Sequence, residues 1–358
     1  MWERTMVGLD VHARSVLGGV LDCETGEVFS RSLAVSDAAI IDWLRQLPQP
    51  VAVTYEAGPT GFRLARALAD AGIRCVVAAP SKLERPAGDR VKTDRRDAVR
   101  LARLLRIGEL TPVRVPGEVE EAARELVRAR EDARTDLMRS RHRLSKLLLR
   151  QGLVWQKSAW SREHGVWLNQ LTFDYAPLML SFDEAHWAVQ QATSRRDRLN
   201  EMIETAAEEE PWRGIVGRLV CLRGVSTLTA FGLAVEIGDW QRFTGNTIGS
   251  YLGLTPSEDS TGPRRVLGSI TKAGNVHARR LLVEAAWHQR PEYRPSQALL
   301  ARRVGQPVAV RERADLANRR LHRRWRAFDK RHKRSTIAAV AVARELAGHC
   351  WAIATMDA

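Results

Sequence analysis

From Val119 to Leu148, apolar residues recur every three, four or seven positions: Val119, Ala122, Leu126, Ala129, Ala133, Leu137, Leu144 and Leu148. The spacing predicts one amphipathic helix of about 30 residues, longer than an ordinary globular helix, and points to a coiled-coil arm. The far end of the arm is basic, with Arg139, Arg141, Arg143, Lys146 and Arg150 and no acid among them. Residues 151–205 are rich in tryptophan (Trp155, Trp160, Trp167, Trp187) and predict more helix. The acidic run Glu208–Glu210 before Pro211 marks a boundary. The expected organisation is therefore a domain over 1–110, a helical coiled-coil region over 111–210 and a mainly helical domain over 211–358.

The first hundred residues alternate strand and helix signals. Met6–Val11, Val16–Leu21 and Val28–Leu33 read as a three-strand meander, with Thr25-Gly26 as a turn. Ser36–Leu47 has apolar residues at helical spacing, Ser36 as N-cap, and Pro48 and Pro50 to end it. Val51–Tyr55 and Ile73–Ala78 read as strands, Thr60–Ala71 and Thr93–Leu105 as helices, and Pro80–Arg90 as a loop. The order β-β-β-α-β-α-β-loop-α matches a ribonuclease-H-like α/β sheet.

Composition narrows the function classes. Of 358 residues 44% are hydrophobic, enough for a core and too many for wholesale disorder. Lys and Arg number 56 against 42 Asp and Glu, a net charge of +14, which predicts a polyanionic partner. Cys23, Cys75, Cys221 and Cys350 form no CxxC pair, which argues against a zinc knuckle or redox dithiol and suits reduced thiols in a cytoplasmic, nucleoid-associated protein. The N-terminus lacks the apolar core of a signal peptide. The apolar stretch from Thr336 to Met356 is broken by Arg344, Glu345 and His349, so it reads as a buried helix and no membrane anchor is expected.

Two constellations carry chemistry. Asp10 ends the first strand and Glu56 follows the fourth, and in the expected sheet those strands are neighbours. Asp94 and Asp97, three apart, share one helix face in a basic setting of Lys92, Arg95, Arg96 and Arg100. Each acid alone is ordinary for a turn or a helix cap. Four together would repel one another unless divalent cations, Mg²⁺ or Mn²⁺, lay between them. The second constellation is the glycine-rich run Gly253–Arg280, in which Ser260 and Thr261 precede Gly262. From Pro263 to Arg280 it holds Arg264, Arg265, Lys272, Arg279, Arg280 and no acid. A hydroxyl there would attack a phosphodiester, or would simply shape a turn. Upstream, Gly224 lies between two apolar helical segments, as in a helix-hairpin-helix. Downstream, residues 302–334 hold thirteen Lys or Arg against three acids, most of the chain's excess charge. Arg319, Arg320, Arg323 and Arg324 among them are candidate nucleic-acid contacts.

These pieces resemble the DEDD transposases of bacterial insertion sequences, whose N-terminal domain is RuvC-like and whose C-terminal domain carries a serine. The matching segments are Gly8-Leu9-Asp10-Val11, Glu56-Ala57-Gly58-Pro59-Thr60-Gly61, Lys92-Thr93-Asp94-Arg95-Arg96-Asp97-Ala98, Gly224-Val225 and Gly253 through Leu282, in family order. The resemblance implies a metal-binding tetrad at Asp10, Glu56, Asp94 and Asp97, and a nucleophilic serine at Ser260, with Thr261 the alternate. It implies a recombinase that cuts, covalently holds and exchanges strands of donor and target double-stranded DNA. It further implies guidance by a structured bridge RNA and assembly as homodimers that pair into a tetramer through the coiled coil. The alternative reading is a metal-dependent nuclease similar to a Holliday-junction resolvase, which needs the acids but not the hydroxyl.

Overall fold

The computed structural model describes residues 3–83, 93–260 and 266–356. The chain divides into two compact units, Met1–Gly117 and Glu118–Ala358.

Unit one contains β1 (Thr5–Val11), β2 (Val16–Asp22), β3 (Val28–Leu33), α1 (Asp37–Arg45), β4 (Val51–Glu56), α2 (Arg63–Asp70), β5 (Arg74–Ala78) and α3 (Asp94–Ile107), so the expected α/β order stands. One mixed sheet has the order β3-β2-β1-β4-β5. The β1–β2 and β2–β3 pairs are antiparallel, and the β1–β4 and β4–β5 pairs are parallel.

Side-chain alternation along the strands assigns the two faces. Val7, Leu9, Val20, Val53 and Tyr55 pack with Ile40, Trp43 and Leu44 of α1 and Leu64 and Leu68 of α2. Met6, Leu21 and Ala52 lie with Ala102 and Leu105 of α3 on the other side. Glycines set how closely the helices approach. Gly8 and Gly19 are cross-strand partners. A Cβ on Gly8 would fall 2.0 Å from the Ala98 carbonyl, and one on Gly19 would fall 2.5 Å from the Val99 nitrogen. The backbone of α3 therefore rests directly on β1 and β2. Neighbouring Gly18 points the other way and makes room for the Trp43 ring.

Unit two contains α4 (Glu118–Arg150), α5 (Arg162–Asn169), α6 (Ala176–Ala207), α7 (Arg213–Leu219), α8 (Thr227–Ile237), α9 (Thr247–Tyr251), the hairpin β6 (Pro256–Glu258) and β7 (Leu267–Ile270), α10 (Val276–Trp287), α11 (Gln297–Arg302), α12 (Val308–Lys330) and α13 (Ser335–Ala354). The long helix pairs with α6 of its own chain. The two run antiparallel, because Arg130 bonds Asn200 at 3.0 Å and Asp136 bonds Arg195 at 3.1 Å. Ala133, Leu137, Leu144 and Leu148 of the apolar stripe are buried, whereas Val119 and Ala122 are exposed and Val127 is buried in their stead. A strict seven-residue repeat drifts around an α-helix, and the inward face shifts between the ends of α4. At the far end of the hairpin, Trp155, His164 and Trp167 cluster with ring centroids 5.3–5.5 Å apart, and Arg141 lies over Trp160.

The core of unit two centres on α8, whose residues Ala230–Ile237 are all buried, packed with α10, α12 and α13. Helix α13 is long and apolar enough to cross a membrane. Its inward face, including Val342, Leu346 and Ile353, lies in this core, as expected of a buried helix. The four cysteines are free thiols, and burial pushes Cys75 and Cys350 up to about 12, which keeps them protonated.

Candidate functional site

Asp10 lies one residue beyond the Leu9–Tyr55 pair of the parallel strands β1 and β4, and Glu56 lies one beyond it on the other strand. Both have the same parity as the residues facing α3, so the two carboxylates leave the sheet on the α3 side. Thr93 caps α3 through its side chain on the Arg96 nitrogen, placing Asp94 and Asp97 in the first turn. The glycine seat presses that turn onto the sheet end.

The structure brings these acids together in two groups. Asp10 and Asp94, with His12, have ligand atoms all within 4.8 Å of one another. Glu56 and Asp97 line one small cavity of about 40 Å³, with Arg100 in its wall. The Asp10 carboxyl is pushed above the ordinary range, chiefly by burial and further by the charges of Asp94 and Asp97. His12, 3.1 Å away, opposes the shift. The mutual repulsion of the Asp10, Asp94 and Asp97 charges is what a bound cation would relieve. Carboxylate oxygens with one imidazole suit a hard divalent ion of the Mg²⁺ or Mn²⁺ kind better than a thiophilic one.

His12 escaped the sequence reading. The available signal was its position two residues past Asp10, the same-face spacing of a strand.

In unit two, the Ser260 hydroxyl is exposed, donates to the Glu258 carboxylate at 2.9 Å and accepts from the Val266 nitrogen at 3.3 Å. Glu258 was not anticipated, since Arg and Lys were the expected neighbours. Thr261, Arg264 and Arg265 lie outside the described residues. The base of the hairpin is knitted closely: Cβ atoms on Gly253 and Gly274 would fall 2.3 Å from the Ala273 carbonyl and 1.8 Å from the Tyr251 carbonyl. Lys272 is exposed there, with φ of 56°.

The remaining basic residues differ in what they present. Arg279, read from sequence as a phosphate contact, is buried and donates to the carbonyls of Leu252 and Ala273 at 3.0 and 2.7 Å. It braces the hairpin. Arg280 is paired with Glu131 and Glu284. On α12, Arg319, Arg320, Arg323 and Arg324 are all exposed. The Gly224 turn joins α7 to α8 with φ of 81°, and a Cβ there would strike the Ala285 carbonyl at 2.4 Å, so the turn sits against α10.

The chain's similarities to known proteins agree on one family. Residues 7–151 match a DEDD transposase domain model of the IS110 type, described as "Transposase". Residues 217–300 match the model "Transposase IS116/IS110/IS902 family". A putative transposase, y4qE, of Sinorhizobium fredii is 40% identical over 99% of this chain and 89% of its own length. The transposase for insertion sequence element IS1533 of Leptospira borgpetersenii is 32% identical over 93% of this chain and 99% of its own.

Proposed function

The chain belongs to the IS116/IS110/IS902 transposase family, and on that premise we propose that it is an RNA-guided recombinase of an insertion sequence with two chemical centres. Transposases of this family cleave DNA and transfer strands, so DNA is the substrate class. The observation that carries the reading is the convergence of Asp10, Asp94 and His12 at the sheet end, with Glu56 and Asp97 in one cavity beside it. The sheet order, with an antiparallel β2 beside parallel β1, β4 and β5, supports a ribonuclease-H-like, RuvC-like domain.

Asp10, Glu56, Asp94 and Asp97 would hold Mg²⁺ or Mn²⁺, with His12 beside Asp10. Such an ion supplies charge stabilisation for the attacking and leaving oxygens of a phosphodiester. The protein's own share is to fix the donors. Strands β1 and β4 carry two carboxylates at their ends, and the capped first turn of α3 carries two more.

At the second centre, Ser260 is the proposed nucleophile and Thr261 the alternate. Attack of the Ser260 oxygen on phosphorus forms a phosphoserine ester with the strand end that keeps the phosphate and breaks the P–O bond to the other end, which leaves as a free hydroxyl. The hydroxyl proton has an acceptor in Glu258, which the oxygen already bonds. Arg319, Arg320, Arg323 and Arg324 of α12, with Lys272, are proposed phosphate contacts. Structured guide RNA and assembly into homodimers and tetramers complete the proposal. The family resemblance and the +14 charge support the RNA, and the long α4–α6 hairpin supports the assembly.

The decisive experiment purifies the protein from its host and sequences the bound RNA, then incubates it with nicked donor DNA and looks for a covalent adduct. A discrete RNA from DNA flanking the gene, and an adduct lost in Ser260→Ala, are expected. Only random cellular RNA would remove the guidance. Full cleavage by Ser260→Ala and Thr261→Ala alike would replace the serine recombinase with a resolvase-like, metal-only nuclease.

A further inference from the structure

Arg313, Arg320 and Arg324 are spaced seven and four apart on α12, which puts them on one helix face. They line a cleft of about 420 Å³ with Arg344, Glu345 and His349 of α13, with Gly245 just before α9 and with Gly249 within it. Glycines shape it. The stem of Arg344 crosses Gly249, where a Cβ would lie 3.0 Å from its Cγ. Gly348 sits against the Gly245 carbonyl at the same separation. Four guanidinium groups thus face a single acid. Glu345 pairs with Arg320 and, at 3.7 Å, with Arg324. Arg313 and Arg344 have no acidic partner among the described residues. The buried Nε2 of His349, in the cleft wall, also has no hydrogen-bond partner among the described residues.

We propose that this cleft is a phosphate-binding pocket for the backbone of a nucleic-acid strand, with Glu345 as an internal counter-ion that occupies it in the absence of the strand. Guanidinium forks match phosphate oxygens, and one carboxylate neutralises only one of the four charges. The cleft, at about 420 Å³, has room for a phosphate with its nucleotide. Arg319 and Arg323 lie roughly 80–120° around α12 at 100° per residue and do not line it. The inference deepens, and rests on, the reading of α12 as a phosphate-contacting helix.

The test measures anisotropy of a fluorescein-labelled single-stranded oligonucleotide on the full chain, against salt, for Arg313→Ala/Arg344→Ala, Glu345→Gln, Asp329→Asn and Arg319→Ala/Arg323→Ala. Circular dichroism confirms that each variant is folded. Arg313→Ala/Arg344→Ala should weaken binding about tenfold and flatten the salt slope by about 0.7 for each lost phosphate contact. Glu345→Gln should tighten binding several-fold more than Asp329→Asn, which removes one acid from α12 outside the cleft. Sodium pyrophosphate should displace the strand from wild type and lose that effect in Arg313→Ala/Arg344→Ala. If Glu345→Gln binds no tighter than Asp329→Asn, or pyrophosphate competes equally in both proteins, the pocket is overturned. Weakening by Arg319→Ala/Arg323→Ala would then leave the general reading of α12 standing. If no arginine variant binds more weakly, both readings fall.

Discussion

Gly8→Ala tests the link between the sheet and the acidic cluster. The new methyl would stand 2.0 Å from the Ala98 carbonyl oxygen and 2.7 Å from the Ala102 nitrogen, where ordinary contact begins near 3.4 Å. These are backbone atoms of one helix, so α3 must retreat by more than an ångström or β1 must buckle. Overpacking of this kind costs about 1–3 kcal/mol, which lowers the melting temperature of a domain this size by roughly 5–15 °C. The effect on activity is larger than the stability loss alone, because the displaced helix carries Asp94 and Asp97. A shift of about 1 Å in groups that position reactants costs about a hundredfold in rate. Excision from a donor plasmid and calorimetric melting read the two quantities. Gly165→Ala is the control: it lies in α5 with nothing within 4 Å of the new atom, and should gain roughly 0.5–1 kcal/mol from helix propensity. If Gly8→Ala melts within a degree of wild type and excises normally, α3 does not rest on the sheet as described and the convergence of the acids loses its cause.

Asp10→Asn and Glu56→Gln should abolish excision while oligonucleotide binding, read by anisotropy, stays within about twofold of wild type, because the basic surface of α12 lies in the other unit. His12→Ala removes the contact that opposes the upward push on Asp10, so the acid limb of Mn²⁺ binding should move to higher pH by titration calorimetry; an unmoved limb would separate His12 from the cluster. Burial works against the charge of Glu236, but hydrogen bonds from His277 at 3.1 Å and Asn275 at 2.6 Å, with Arg124 nearby, outweigh it and hold its carboxyl below the ordinary value. Its stabilisation is therefore complete above about pH 4.5 and is lost as pH falls through the lower folded value; Glu236→Gln should cost about 2–4 kcal/mol at neutral pH and flatten that acid dependence in urea melts. Ser260→Ala should remove the covalent DNA adduct seen by denaturing gel, and loss of the adduct in Thr261→Ala alone would move the nucleophile by one residue.

Much of unit one was legible because its signals are local. Short apolar runs bounded by turns marked each strand, and Ser36 and Thr93 announced two helix starts that the caps then make. The adjacency of β1 and β4 followed from the order of elements. What sequence did not reveal was the cause of convergence. Gly8 and Gly19 look like ordinary strand glycines until their cross-strand pairing shows that both face the same helix. His12 stayed hidden for a related reason, since its one cue is its spacing from Asp10 and the third member of the cluster, Asp94, arrives from about eighty residues away. In α4, the stripe fixed the existence of the helix but not its inward face at both ends. Packing in the core that α8 shares with Ile203 and Ala207 of α6 selects Val127 over Val119, which no repeat in α4 alone encodes.

Charge is where composition and structure part furthest. Thirteen basic residues between 302 and 334 suggest a uniform surface for a polyanion. Folding sorts them by what surrounds each. Arg303 is buried, bonded to the Cys221 carbonyl and to Asp315, and serves the core. Arg302 donates to the Val225 carbonyl at 2.8 Å. The same sorting holds earlier in the chain, where Glu131 gathers Arg134 and Arg280 and where Arg279 is enclosed beneath the hairpin. The others of the thirteen face solvent, and five of them are ordered on α12: Arg319 and Arg323 lie on an outer face with no ion pair among the described residues, and Arg313, Arg320 and Arg324 lie on the cleft face around Glu345. The salt dependence of nucleic-acid binding should therefore track this exposed subset and not the net charge of the chain. Neutralising buried Arg303 would unfold unit two before it altered that slope, whereas neutralising Arg319 and Arg323 would change the slope and leave the fold intact.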